Sequence, residues 1–127
     1  MRVFDTSAWI EKLIGSPLGL ALDRELPAPQ ACIVPALVQL ELAKWLTRER
    51  SEEDADLAIA YTMTCRVVPL DTALALRAAE ISRQNRLSTA DAIVYATALA
   101  LRAELITCDA HFEGLPGVKY FAKASAS

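Results

Sequence analysis

The sequence predicts an α/β fold, a three-layer domain in which a central, mainly parallel sheet of about five strands is flanked by helices. Short β-prone runs recur between longer segments with helical spacing, an alternation typical of a parallel sheet covered by helices. The chain has 127 residues, of which 54% are hydrophobic and 23% are charged, as in a globular domain. We therefore expect one domain over residues 1–121 and a flexible tail over residues 122–127, AKASAS.

Each strand is predicted from a short run of apolar and β-branched residues between helical patterns. The five strands are expected at residues 2–4 (RVF), 31–34 (ACIV), 66–70 (RVVPL), 104–107 (ELIT) and 118–121 (VKYF). Because helices separate the first four strands from one another, the sheet is expected to be mainly parallel.

The helices are predicted from apolar spacing and from the residues that begin and end them. They are expected at residues 6–15, 17–26, 35–48, 51–65, 71–86 and from Ser88 onward. Gly15 ends the first helix, Pro35 suits the first turn of the third, and Ser51 and Asp71 are cap residues. The last helix is apolar nearly all round, which predicts burial on most sides.

The composition also predicts a cellular location. No apolar run reaches the roughly 18 residues of a membrane span, and MRVFDTSAWI does not resemble a signal peptide. We expect a cytoplasmic protein without membrane association. Cys32, Cys65 and Cys108 are widely separated and form no C-x-x-C pair, so we expect reduced thiols rather than disulfides or a zinc site.

Four acids stand at positions that a parallel sheet brings toward one edge. Asp5 follows the first predicted strand and Asp109 follows the fourth, so both should emerge at the carboxyl edge where α/β sheets bind ligands. Asp91 begins the buried helix, and Glu41 lies on a helix face with Leu37 and Trp45.

Each acid also has a purely structural explanation. Asp5 can cap a helix, Asp91 has capping-box spacing from Ser88, Glu41 can pair with Lys44, and Asp109 can be a loop residue. Capping does not require all four together, and two like charges about 4 Å apart repel by about 4 kcal/mol at an effective dielectric near 20. A divalent cation removes this penalty. Oxygen ligands without a His or Cys set favour Mg2+ or Mn2+, which suits phosphodiester hydrolysis by a metal-activated water.

The segments VFDTSAWIE, LVQLELAKWL, STADAIVYATAL and ELITCDAHF resemble the successive acidic motifs of PIN-domain nucleases, in particular VapC-type toxins of bacterial toxin-antitoxin pairs. The resemblance extends from Asp5 to Phe112 in the same order. It implies an Mg2+- or Mn2+-dependent endoribonuclease in which Asp5, Glu41, Asp91 and Asp109 form the catalytic metal centre.

The resemblance has further implications for partners and for supporting residues. It implies an RNA substrate, a homodimer, and a cognate antitoxin that covers the acidic groove in a hetero-oligomer. Thr6, Ser7 and Thr107 are candidates for hydrogen bonds to the metal ligands or their waters. The helical hairpin around residues 36–65 is a candidate for part of the antitoxin contact.

Other functions remain open at this point. A receiver-like Mg2+-binding phosphoacceptor module is the main alternative, with Asp71 as the acid after the third strand, although no Lys follows the fourth. A phosphatase of the D-x-D-x-T type loses its general acid, because Ser7 stands where the second Asp belongs. His111, the only histidine, is interpreted as a loop residue with a minor role at most.

The net charge of −3 does not exclude a nucleic-acid partner. If four of the 16 acids hold a metal, 12 remain against 13 Lys and Arg. The basic residues define no RNA groove, so the sequence does not identify the cleaved RNA or the cleavage sequence. It leaves open whether one or two metal ions bind and which individual residues contact the antitoxin.

Overall fold

Five β-strands and six α-helices alternate along residues 1–123, the part of the chain that the computed structural model describes. The strands are β1 (Arg2–Phe4), β2 (Cys32–Pro35), β3 (Arg66–Val68), β4 (Glu104–Thr107) and β5 (Val118–Tyr120). The helices are α1 (Thr6–Ile14), α2 (Pro17–Leu22), α3 (Ala36–Glu49), α4 (Glu52–Thr62), α5 (Thr72–Asn85) and α6 (Thr89–Ala100). Short 3-10 helices span Pro29–Ala31 and Ala110–Phe112. Residues 124–127 of the expected tail lie outside the described residues.

The five strands form one parallel sheet in the order β3-β2-β1-β4-β5. The predicted α/β architecture is therefore confirmed, and every strand pair is parallel. The chain first builds from β1 toward β2 and β3, then returns to the other side of β1 for β4 and β5. This places the topological switch point between β1 and β4, where a crevice opens at the carboxyl ends of the strands.

The middle of the sheet is buried on both faces, as expected for parallel strands under helices. Val3, Phe4, Ile33, Leu105 and Ile106 are fully buried. The last helix is as buried as its apolar sequence predicts, because every residue from 92 to 98 is buried. The strand ends and the start of α6 thus rest on a rigid core. No helix within residues 1–123 is long and apolar enough to cross a bilayer.

The caps match the sequence closely, whereas two helices end early. The hydroxyls of Ser51 and Ser88 and the carboxylate of Asp71 accept the backbone N–H groups that begin α4, α6 and α5. Helix α2 ends at Leu22 rather than at residue 26, and α4 ends at Thr62 rather than at residue 65.

A tertiary contact accounts for the early end of α2. The Glu25 carboxylate accepts hydrogen bonds from Arg2 and Lys119, both at 2.7 Å, so the chain is held against β1 and β5 instead of continuing as a helix. Pro27 also disfavours helical geometry in the residue before it. A proline also ends strand β3. The strand stops at Val68 because Pro69 has no backbone N–H to donate to the hydrogen-bond ladder of the sheet.

Candidate metal centre

Asp5 is a buried acid at the switch point of the sheet. Its backbone N–H donates to the carbonyl of Ile106 on β4 at 2.9 Å, which extends the β1–β4 pairing to this residue. Its side chain points into the interior, and the residue is only 5% exposed. Asp5 occupies the N-cap position of α1, but its side chain makes no capping hydrogen bond. Capping therefore does not explain why an acid stands here.

Two hydroxyl groups orient the Asp5 carboxylate. Ser7 Oγ and Thr107 Oγ1 each donate to Asp5 Oδ2 at 2.9 Å. The same hydroxyls accept backbone N–H groups, Ser7 from Cys108 at 3.0 Å and Thr107 from Asp109 at 3.0 Å. Since each hydroxyl links the end of β1 or the start of α1 to the end of β4, the position of Asp5 is fixed relative to Asp109.

Glu41 reaches the same region from α3. Its half-buried carboxylate accepts a hydrogen bond from Thr6 Oγ1 at 2.7 Å, and Thr6 is the first residue of α1 directly after Asp5. Within the described residues 1–123, Glu41 does not form the ion pair with Lys44 that would give it a purely structural role. Thr6 therefore connects the Glu41 carboxylate to the strand end that bears Asp5.

Asp91, Asp109 and His111 form a tight group of possible ligands. One ligand atom from each of them lies within 4.8 Å of the other two. His111 Nδ1 is 3.2 Å from Asp109 Oδ1 and 3.5 Å from Asp91 Oδ2. Asp109 Oδ1 also accepts the backbone N–H of His111 at 2.9 Å. Asp5 and Glu41 stand outside this group of three, on the neighbouring strand end and on α3.

Burial and mutual repulsion disfavour the charged forms of two of the acids. The pKa of Asp5 is raised to about 6, chiefly by desolvation and also by the charge of Asp91, against the opposing effect of hydrogen bonds from Ser7 and Thr107. Desolvation also raises the pKa of Asp91, and the neighbouring charge of Asp109 adds to this effect. The protein therefore holds two carboxylates, Asp5 and Asp91, where a negative charge is poorly compensated.

The donor set fits a divalent cation. Carboxylates that are desolvated and close together gain most from a cation, because it removes both the repulsion and the loss of solvation. Asp91 and Asp109 bring their carboxylate oxygens close together, and the Asp5 Oδ2 atom is already oriented by two hydroxyls, as metal-binding carboxylates commonly are. The residues of this edge are therefore suited to hold an ion such as Mg2+ or Mn2+.

His111 is the residue that sequence reasoning did not place in this group. The imidazole follows Asp109 by two positions, which the sequence shows, but its proximity to Asp91 depends on how β4 and α6 meet. The spacing D-x-H directly after a predicted strand was the available signal, since ligands from one tight turn are often close together.

The strand order argues against the receiver-like alternative. Receiver domains share the flavodoxin-like order 2-1-3-4-5, in which the third strand lies inside the sheet at the switch point. In this chain β3 is an edge strand, remote from β4 in the order β3-β2-β1-β4-β5. Asp71, the acid after β3, caps α5 by accepting the backbone N–H of Leu74 at 2.8 Å. It does not take part in the acidic group at β1 and β4.

The sequence matches one protein family, and the fold matches solved structures. The profile of the PIN domain family matches residues 2–118. Comparison with curated protein sequences finds no match.

Three solved structures illustrate the likeness in fold. A toxin-antitoxin complex from Klebsiella pneumoniae is similar with a TM-score of 0.79 and 24% identity, over 97% of this chain and 100% of that chain. VapC20 from Mycobacterium tuberculosis is described as a sarcin-ricin loop cleaving toxin. It is similar with a TM-score of 0.75 and 21% identity, over 91% of this chain and 95% of that chain. DNA-bound VapBC from Salmonella typhimurium is similar with a TM-score of 0.72 and 15% identity, over 95% of this chain and 96% of that chain. At these identities the likeness establishes the fold.

Proposed function

Because the chain belongs to the PIN domain family, we propose that residues 1–121 form a divalent-metal-dependent endoribonuclease that acts as the toxin of a VapBC-type pair. The observation that supports this best is the close approach of Asp91 on α6 to Asp109 after β4, beside the buried Asp5 at the end of β1. A single cap or ion pair would explain one of these acids, whereas a shared cation explains why they converge. The structural neighbours described as toxin-antitoxin complexes give the proposed biological setting.

Asp5, Glu41, Asp91 and Asp109 are the proposed metal ligands and catalytic residues. Ser7 and Thr107 orient Asp5, and Thr6 orients Glu41, through the hydrogen bonds of 2.7 to 2.9 Å already described. Mg2+ or Mn2+ is the proposed ion.

The chain supplies fixed positions for the reaction rather than a nucleophile of its own. When bound, the cation supplies a water activated for attack on the RNA phosphodiester and stabilises the departing oxygen. Asp5 and Asp109 are held by the strand ends, and Asp91 is held at the start of a rigid helix whose first turn is capped by Ser88. Because these elements rest on the buried core, we expect the ligand positions to be set before RNA binds.

We expect the purified protein to cleave total cellular RNA in the presence of Mn2+ or Mg2+ and to lose this activity in EDTA. The physical reason is that, without a cation, the carboxylates repel the anionic RNA phosphate, and no group activates the attacking water or stabilises the departing oxygen. Gel analysis of RNA incubated with each ion, with EDTA, and with EDTA followed by excess metal measures this directly. Cleavage that persists unchanged in EDTA would contradict a metal-dependent mechanism.

We also propose the groove between α1, α3 and α4 as the contact surface for an antitoxin. The groove is a cavity of about 390 Å³, and the residues that line it are mostly apolar: Trp9, Lys12, Leu13, Ile14, Leu42, Leu46, Arg50, Asp54, Leu57, Ala58 and Tyr61. Leu13, Ile14, Leu57 and Tyr61 are large side chains that remain exposed here. An apolar groove with charged residues at its rim suits an amphipathic peptide segment.

Leu57→Glu is expected to weaken antitoxin binding by about 30-fold or more, because a charge replaces an exposed apolar contact in the groove. Leu57 is 64% exposed, so the substitution should leave the fold intact. Leu76→Glu is a matched control, since Leu76 on α5 is 67% exposed and does not line the groove. The binding partner is the protein product of a short reading frame next to this gene, once such a frame is identified; its affinity is measured by calorimetry, with RNA cleavage as the check on folding. Equal effects of the two substitutions would place the contact elsewhere.

The expected homodimer stays a prediction for sedimentation analysis.

A further inference from the structure

The imidazole of His111 lies against two of the four proposed metal ligands. Its Nδ1 atom is 3.2 Å from Asp109 Oδ1 and 3.5 Å from Asp91 Oδ2. The side chain is 76% exposed, so it is open to water and to substrate, and most of its surface makes no contact with the protein. The nitrogen that does make contact is the one that faces the acids.

Packing fixes the backbone of His111 relative to both acids. His111 is the middle residue of the 3-10 turn Ala110–Phe112, which directly follows Asp109. The backbone N–H of His111 donates to Asp109 Oδ1. The next residue, Phe112, is fully buried and packs on Tyr95 with ring centroids 6.3 Å apart. Tyr95 lies one helical turn after Asp91 on α6, so this aromatic pair ties the His111 turn to the helix that bears Asp91.

We propose that His111 Nδ1 is a nitrogen ligand of the divalent cation, together with Asp91 and Asp109, and that the site consequently prefers Mn2+ to Mg2+. The inference rests on the proposed function for the presence of the cation, and it goes further by assigning a ligand of a different chemical type.

The distances suit this assignment. In octahedral coordination at about 2.1 Å, neighbouring ligand atoms are about 3 Å apart. The two separations of Nδ1 from carboxylate oxygens, 3.2 and 3.5 Å, exceed that spacing by only a few tenths of an ångström. These two nitrogen–oxygen separations therefore need only a small contraction for the imidazole and a carboxylate to be neighbouring ligands of one ion.

A nitrogen ligand changes which ion binds best. Mg2+ strongly favours oxygen ligands and keeps several waters, whereas transition ions accept imidazole nitrogen readily. A site of carboxylates alone discriminates weakly between Mg2+ and Mn2+. One imidazole in the coordination shell shifts the preference toward Mn2+, and removing it should affect the two ions unequally.

The test compares Mn2+ and Mg2+ binding to wild type and to His111→Ala, without RNA and in one buffer. We expect His111→Ala to lower Mn2+ affinity by about 10-fold or more while changing Mg2+ affinity by less than about threefold. Pulsed electron paramagnetic resonance of bound Mn2+ should show coupling to a coordinated nitrogen in wild type, and this signal should vanish in the variant. Glu113→Gln is the matched control, because Glu113 is an exposed residue next to the same turn.

Two results would overturn the assignment. One is the absence of nitrogen coupling when Mn2+ is bound to wild type. The other is tighter Mn2+ binding by His111→Ala, which is expected if the imidazole only hydrogen-bonds the acids and competes with the ion. Neither readout involves RNA. Metal-dependent cleavage without nitrogen coupling contradicts this inference alone, whereas nitrogen coupling without cleavage contradicts the proposed nuclease function alone.

Discussion

Asp91→Asn is expected to reduce the rate of metal-dependent RNA cleavage by at least about 100-fold. Loss of a residue that merely orients a metal ligand typically costs 10- to 100-fold, and loss of a proposed ligand should cost no less. The fold should survive, because the cap of α6 uses Ser88 Oγ and the backbone N–H of residue 91, which asparagine retains. Initial rates on a defined RNA at saturating Mn2+ measure the effect.

The control for Asp91→Asn is Asp56→Asn, the same exchange at an exposed position of α4. Thermal unfolding gives a second readout: Mn2+ should raise the melting temperature of wild type and of Asp56→Asn more than that of Asp91→Asn. Equal shifts in all three proteins, or undiminished cleavage by Asp91→Asn, would remove Asp91 from the proposed metal centre.

Asp5→Asn is expected to abolish metal stabilisation and yet to make the metal-free protein more stable above about pH 7. Burial raises the pKa of Asp5 from 3.8 to about 6, so the folded chain binds its proton more tightly than the unfolded chain does. The free energy of unfolding therefore falls as the pH rises from about 4 to about 6. A shift of about two units corresponds to about 3 kcal/mol at most. Asparagine cannot ionise, so it avoids this loss.

Urea unfolding in EDTA at several pH values measures the difference between wild type and Asp5→Asn. The two proteins should have similar stability near about pH 4, where Asp5 is protonated, and should diverge as the pH rises to about 7. Adding Mn2+ above about pH 7 should reverse the order, because only the wild type holds the ion with this carboxylate. A wild type that is the more stable protein in EDTA at about pH 8 would show that the buried charge of Asp5 is already compensated.

The secondary structure was predictable because local physical chemistry decides most of it. Ser51, Asp71 and Ser88 cap helices as predicted, and Gly15 ends α1 with a positive φ of 69°. One misplaced boundary is influenced by a distant contact. Helix α2 stops early where Glu25 meets Arg2 and Lys119, residues far away in sequence.

The four acids could be proposed from the sequence, but the hydrogen bonds that orient their carboxylates could not. That Asp5 and Asp109 follow strands can be deduced from the pattern of the chain. That Ser7 and Thr107 share Asp5 Oδ2, and that Thr6 serves Glu41 instead, depends on side-chain directions at the crossing of β1, β4 and α3.

The sequence by itself determined the α/β class, the order of its elements and the four candidate acids, because periodicity, caps and residue type are local properties. The tertiary structure decided the strand order, which separates Asp71 from the acidic group, and the burial that raises the pKa of Asp5. It also placed His111 between Asp91 and Asp109. Distances and desolvation arise only when segments far apart in the chain pack together, and no local pattern records them.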